Sequence, residues 1–106
     1  MSNRILLPSR VEYVLEKLGN DINCARRRRR ISKAVMAQRA GITINTLTKV
    51  EEGSAGTSMA AWASILFILG LEENLKDLCD LKNDETGMML ADEELPKRIR
   101  SRKKNG

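Results

Sequence analysis

Ile31-Ser32-Lys33-Ala34-Val35-Met36-Ala37-Gln38-Arg39-Ala40-Gly41-Ile42-Thr43-Ile44-Asn45-Thr46-Leu47-Thr48-Lys49-Val50-Glu51-Glu52-Gly53 packs two helix starts, one sharp reversal and one stop into 23 residues. Ser32 and Thr43 each precede a short helix-forming run, and a hydroxyl there can accept from the free amides of a first turn. Gly41 falls between the runs, where a positive φ lets the chain double back, and Gly53 closes the second run. Val35, Met36 and Ala40 give the first helix its apolar contacts, and Leu47 and Val50, three apart, turn inward from the next. Ala37 is small where two helices must approach, and Ile42 plugs the corner.

Upstream, Pro8 and the capping-box pattern Ser9-Arg10-Val11-Glu12 start a helix. Val11, Leu15, Leu18, Ile22 and Ala25 then recur in steps of four and three, one stripe on one face. Gly19-Asn20 either breaks this helix or is carried through it to about Arg30. Downstream, residues 54–57 form a loop and Ser58 caps a fourth helix with the stripe Met59, Trp62, Leu66 and Leu69. Ile65, Phe67 and Ile68 make its second half apolar nearly all round, so it is expected to be buried on more than one side. Gly70 ends it, and residues 72–81 read as a fifth helix with Leu71, Leu75 and Leu78 inward. Past Lys82 the periodicity fades, with Met88-Met89-Leu90 a short apolar run and Lys97–Gly106 without pattern.

The expectation is thus an all-α fold. A chain of 106 residues with 3% aromatics supports one modest core, and its Leu, Ala, Arg, Glu and Lys favour helix over strand. Residues 1–17 are an N-terminal, partly helical extension, 18–81 the domain, and 82–106 an acidic then basic extension, partly disordered. There is no histidine, and the two cysteines, Cys24 and Cys79, have no metal-ligand spacing. With no phosphate-binding glycine loop and no framed carboxylate pair either, catalysis, cofactors and metals are not expected. The first eight residues lack a secretory apolar run and no stretch reaches membrane-span length, so a cytoplasmic protein with reduced thiols and no membrane partner is expected.

Charge is strongly segregated. Residues 1–71 carry +6, residues 72–94 carry −7 and residues 95–106 carry +6, for a net +5. A basic body, including the run Arg26 to Arg30, points to a polyanion, and the acidic and basic ends point to a separate interaction segment. Two short helices joined by a tight glycine turn are the helix-turn-helix, whose second helix enters the DNA major groove. With Leu47 and Val50 inward, Thr43, Ile44, Asn45, Thr48 and Lys49 are the positions left to face a duplex. Asn45 can bond adenine bidentately, Lys49 can donate to guanine and Ile44 can touch a thymine methyl. Lys33, at a helix start, suits a phosphate, and of the arginine run Arg29 and Arg30 are the chosen phosphate contacts.

Ile31-Ser32-Lys33, Ala40-Gly41-Ile42-Thr43 and Val50-Glu51-Glu52-Gly53 together resemble the Xre/Cro-type phage-repressor domain, over about residues 18–81. That resemblance implies a five-helix domain with the second and third helices as reading unit, and an ion pair between Arg26 and Glu51. Family members commonly have glutamine at the position of Lys33 and arginine or glutamine at that of Ile44. Leu69-Gly70-Leu71-Glu72 and Leu95-Pro96-Lys97-Arg98 are similar to HipB-like antitoxins, which implies a HipA-like kinase toxin as partner and autoregulation of a shared operon. Ile65, Phe67 and Ile68, with Leu75 and Leu78, exceed what five short helices hide, which predicts a symmetric homodimer on a palindromic, double-stranded operator in the nucleoid. Two other readings compete: a stand-alone phage-type repressor or restriction-system controller, and a protein-interaction module whose helix-turn-helix is vestigial. The tail favours the antitoxin, because a minimal repressor would stop near Leu81.

Overall fold

The computed structural model describes residues 6–93, and the chain divides into two compact units between Glu72 and Glu73. Six α-helices and one 3₁₀ turn make up the described residues, with no strand among them. The first unit holds α1 (Ser9–Arg28), α2 (Lys33–Ala40), α3 (Ile44–Glu51) and α4 (Met59–Leu69). Helix α1 packs on α3, and α2 packs on both α3 and α4. Its core is Ile22, Ala25, Met36, Ala37, Leu47, Val50, Ala61, Ile65, Leu66 and Leu69.

The caps explain the boundaries. Ser32, Thr43 and Ser58 each accept a backbone hydrogen bond from the amide three residues on, at Val35, Thr46 and Ala61, over 3.0–3.1 Å. At the other ends Gly41 and Gly70 take φ of 73° and 78°, so that Ile42 and Leu71 donate back to Ala37 and Leu66 over 3.0 and 2.8 Å. Helix α1 is continuous through Gly19 and stops at Arg28. Gly19 is buried because α3 lies against it: a Cβ there would meet the Val50 carbonyl oxygen at 2.5 Å and the Gly53 nitrogen at 2.8 Å. From the opposite side, a Cβ on Gly53 would meet the Glu16 Cα at 2.5 Å.

Several expectations need correction. Ser9 is not a cap: Pro8 stands at the cap position, its carbonyl accepts from Val11 and Glu12, and no side chain caps the helix. Of the α1 stripe, Ile22 and Ala25 are buried, but Val11 and Leu18 are 39% and 36% exposed. Helix α3 lies against the face of α1 that carries Gly19, Asn23 and Arg26. Helix α4 turns Ala61, Ile65, Leu66 and Leu69 inward and leaves Met59 and Phe67 76% and 64% exposed. Ile65, expected at a dimer interface, is wholly buried in the chain's own core and offers nothing to a partner. Trp62 is half-buried, and its indole Nε1 donates to Thr57 Oγ1 over 2.6 Å.

The second unit holds α5 (Glu73–Lys76), a 3₁₀ turn (Leu81–Asn83) and α6 (Glu85–Glu93). The fifth helix is therefore a single turn. Asp80 Oδ1 accepts from the Lys82 amide and Asn83 Nδ2 donates to the Asp77 carbonyl, local bonds that replace the helical ladder. Helix α6 arises where no helix was foreseen, capped by Asp84 Oδ1, which accepts from the Gly87 amide over 3.0 Å. The sequence boundary after Leu81, the run Lys97–Gly106 and the segment Leu95-Pro96-Lys97-Arg98 fare differently: the first falls inside this unit, and the others lie outside the described residues.

No residue of Glu73–Glu93 is buried, and every core residue belongs to the first unit. A chain ending at Glu72 is expected to keep its helical circular dichroism per residue and to melt within about 3 °C of the full chain, since surface changes stay within about 0.5 kcal/mol. Loss of cooperative melting would place part of the core beyond Glu72.

Candidate nucleic-acid interface

The reading unit is built by α2, the Gly41-Ile42 turn and α3. Leu47 and Val50 are fully buried, which anchors α3 along one side. On the opposite side Ile44, Asn45, Thr48 and Lys49 lie within about 140° of arc at 3.6 residues per turn. Ile44, Asn45 and Lys49 are exposed and Thr48 is half-buried. Thr43 is a cap: its hydroxyl accepts from the Thr46 amide and donates to Thr46 Oγ1 over 3.0 Å. The face carries a carboxamide, a hydroxyl, an ammonium and an apolar tip, the groups that read base edges and the thymine methyl.

Lys33 does not stand free at the start of α2. Its Nζ donates to Thr48 Oγ1 over 2.8 Å, joining the first residue of α2 to the middle of α3. No spacing rule anticipates this bond, because the two positions are brought together only by the angle between the helices.

One polar cluster sets that angle. Arg26 donates through Nε to Glu51 Oε2 over 2.7 Å and through Nη2 to Oε1 over 3.2 Å, while Nη1 donates to the Ile31 carbonyl over 2.8 Å. The two side chains are 8% and 4% exposed. Asn23, one turn before Arg26, donates through Nδ2 to Glu51 Oε1 over 2.7 Å. Sequence reasoning missed Asn23, although its spacing of three from Arg26 puts both on one face of α1. A carboxylate at the C-terminal end of α3 is disfavoured by the helix dipole, and the bidentate guanidinium offsets this.

Arg27, Arg28, Arg29 and Arg30 are exposed around the end of α1, where cations suit the helix dipole. Arg29 Nη1 donates back to the Ala25 carbonyl over 2.8 Å. Arg30 takes a left-handed φ of 56°, which reverses the chain toward Ile31 and α2. Expected interface residues outside this face are scattered: Phe67 is exposed and Ile68 half-buried on α4, while Leu75 and Leu78 belong to the second unit. Cys24 and Cys79 are free thiols. Among the described residues no group of three or more Cys, Asp or Glu side chains could hold a metal, and no helix is long and apolar enough to cross a membrane.

No curated protein matches the chain closely enough to be counted a relative. A family model does match, over residues 18–78, a span that takes in most of α1, all of α2, α3 and α4, and the start of the second unit. With more than half its length matched, and with a capped pair of helices presenting a polar reading face beside a basic helix end, the chain belongs to the helix-turn-helix domain family of DNA-binding regulators.

Proposed function

We propose that the protein is a sequence-specific transcriptional repressor that docks α3 in the major groove, with Asn45 and Lys49 on base edges, Ile44 against a thymine methyl and Thr43 and Thr48 alongside. Arg29, Arg30 and the free amides at the start of α2 take flanking phosphates, while Lys33 joins the reading face through its bond to Thr48. One observation carries the reading: the polar face of α3 stands opposite the fully buried Leu47 and Val50, so its side chains are free for a ligand. A homodimer formed through the α4 surface at the exposed Phe67 and the half-buried Ile68 would bring two such helices to half-sites about 34 Å apart on a palindrome.

The finer reading is an antitoxin that binds a HipA-like kinase toxin and autoregulates their common operon. Its support is the similarity of Leu69-Gly70-Leu71-Glu72 and Leu95-Pro96-Lys97-Arg98 to HipB-like antitoxins. The second unit adds a physical reason: Leu78, Leu81, Met88, Met89 and Leu90 are exposed there, and an acidic helical segment with no buried residue suits a partner that folds against it.

The test of DNA reading is Asn45→Ala. It should cost about 1–3 kcal/mol on a duplex selected by the protein and almost nothing on scrambled duplex, because base contacts carry specificity. Fluorescence anisotropy on both duplexes measures it, and equal losses on the two would mean that position 45 reads no base. The chain ending at Glu72 separates the finer reading: operator binding should persist while binding to the proposed HipA-like kinase partner disappears.

A further inference from the structure

We propose that Lys33 is a positioning residue that sets the hydrogen-bonding polarity of Thr48, making position 48 a donor toward the duplex and so selecting a base with an acceptor there. This deepens the α3 reading proposed above and rests on it. A threonine hydroxyl can donate one proton or accept at its lone pairs, so by itself it fits either kind of base edge. An ammonium group has three donors and no acceptor. With Lys33 Nζ 2.8 Å from Thr48 Oγ1, the hydroxyl oxygen accepts from lysine through one of its two lone pairs, and a second donor approaching that oxygen would meet the ammonium's positive charge, which favours giving the hydroxyl proton to the duplex.

Both residues are half-buried, so the bond sits where water competes less than on an open surface. Thr48 lies on the same face of α3 as Ile44 and Asn45, whose side chains are exposed. In the major groove the acceptors are guanine N7 and O6, thymine O4 and adenine N7, whereas cytosine presents only its amino donor. The pair therefore disfavours cytosine at the contacted base. A lysine that orients Thr48 and a lysine held on a phosphate leave different marks on salt dependence.

The test starts from duplexes selected by the wild-type protein out of a random-sequence library, followed by single base-pair changes at every position. Wild type should discriminate against cytosine at one position by about tenfold. Thr48→Val should flatten that position alone, and Thr48→Ser, which keeps the hydroxyl, should retain the preference. Lys33→Met keeps the apolar stem without the donor and should flatten the same position, with the double variant Lys33→Met/Thr48→Val no worse than either single. The slope of log affinity against log salt should stay unchanged in Lys33→Met. A uniform loss over all positions with the slope falling by about one unit would make Lys33 a phosphate contact and overturn the inference. Full retention of the preference in Lys33→Met would also overturn it. If wild type selects no sequence at all, the proposed reading of bases by α3 fails, and the inference falls with it for that separate reason.

Discussion

Arg26→Met is expected to destabilise the protein by about 3–5 kcal/mol, because it leaves the Glu51 carboxylate buried against a helix C-terminus with only Asn23 to bond it. Removing one member of a buried ion pair costs far more than the pair contributes in net stability, since the remaining charge keeps its desolvation penalty. Arg26→Met/Glu51→Leu removes both charges and should recover most of the loss, leaving chiefly the Ile31 carbonyl without its 2.8 Å donor. Urea unfolding followed by circular dichroism measures all the variants needed for the cycle. A double variant as unstable as Arg26→Met would mean that the link to Ile31, not the carboxylate, dominates.

Gly19→Ala should lower the melting temperature by about 8–16 °C. Intrinsic propensity points the other way, since alanine in a helix interior is favoured over glycine by about 1 kcal/mol. Against that stand the Val50 oxygen at 2.5 Å, the Gly53 nitrogen at 2.8 Å and the Glu51 oxygen at 2.9 Å from the new methyl. These are backbone atoms and cannot rotate aside as a side chain would, so α3 must move away from α1. Overpacking at the upper end of its usual range, about 3 kcal/mol, outweighs the propensity gain, and each net kcal/mol moves the midpoint by about 4–8 °C in a domain of this size. Asn20→Ala, at the exposed neighbour, is the control and should leave the melt unchanged or raise it. A stabilised Gly19→Ala protein would show that α1 and α3 are farther apart than described.

Glycine 19 also illustrates what sequence reading reaches and what it does not. Five helix ends were legible from local determinants: Ser32, Thr43 and Ser58 start helices, and Gly41 and Gly70 end them, because a cap involves only neighbouring residues. Gly19 left the continuity of α1 open because the reason for it lies more than thirty residues away in α3. The buried side of α4 was misread at Met59 for another reason. In a helix apolar nearly all round, periodicity carries no phase, and the positions of α2, α3 and α1 against it select Ala61, Ile65 and Leu69. The fifth helix was over-extended because Asp80 and Asn83 bond the local backbone, a competition that apolar spacing does not register. On the α3 face the residue types were readable, but the bond from Lys33 to Thr48 depends on a crossing of two helices.

The three-way grip of Arg26 has a thermodynamic consequence. Its guanidinium holds the last residue of α3 and the peptide just ahead of α2, so the two ends of the reading unit are fixed to α1 before any duplex arrives. Ordering this segment is then charged to folding rather than to association, and the entropy of binding is spared that cost. Calorimetric titration should accordingly give a heat-capacity change no larger than the contact surface requires, without the excess that accompanies a segment folding on its target.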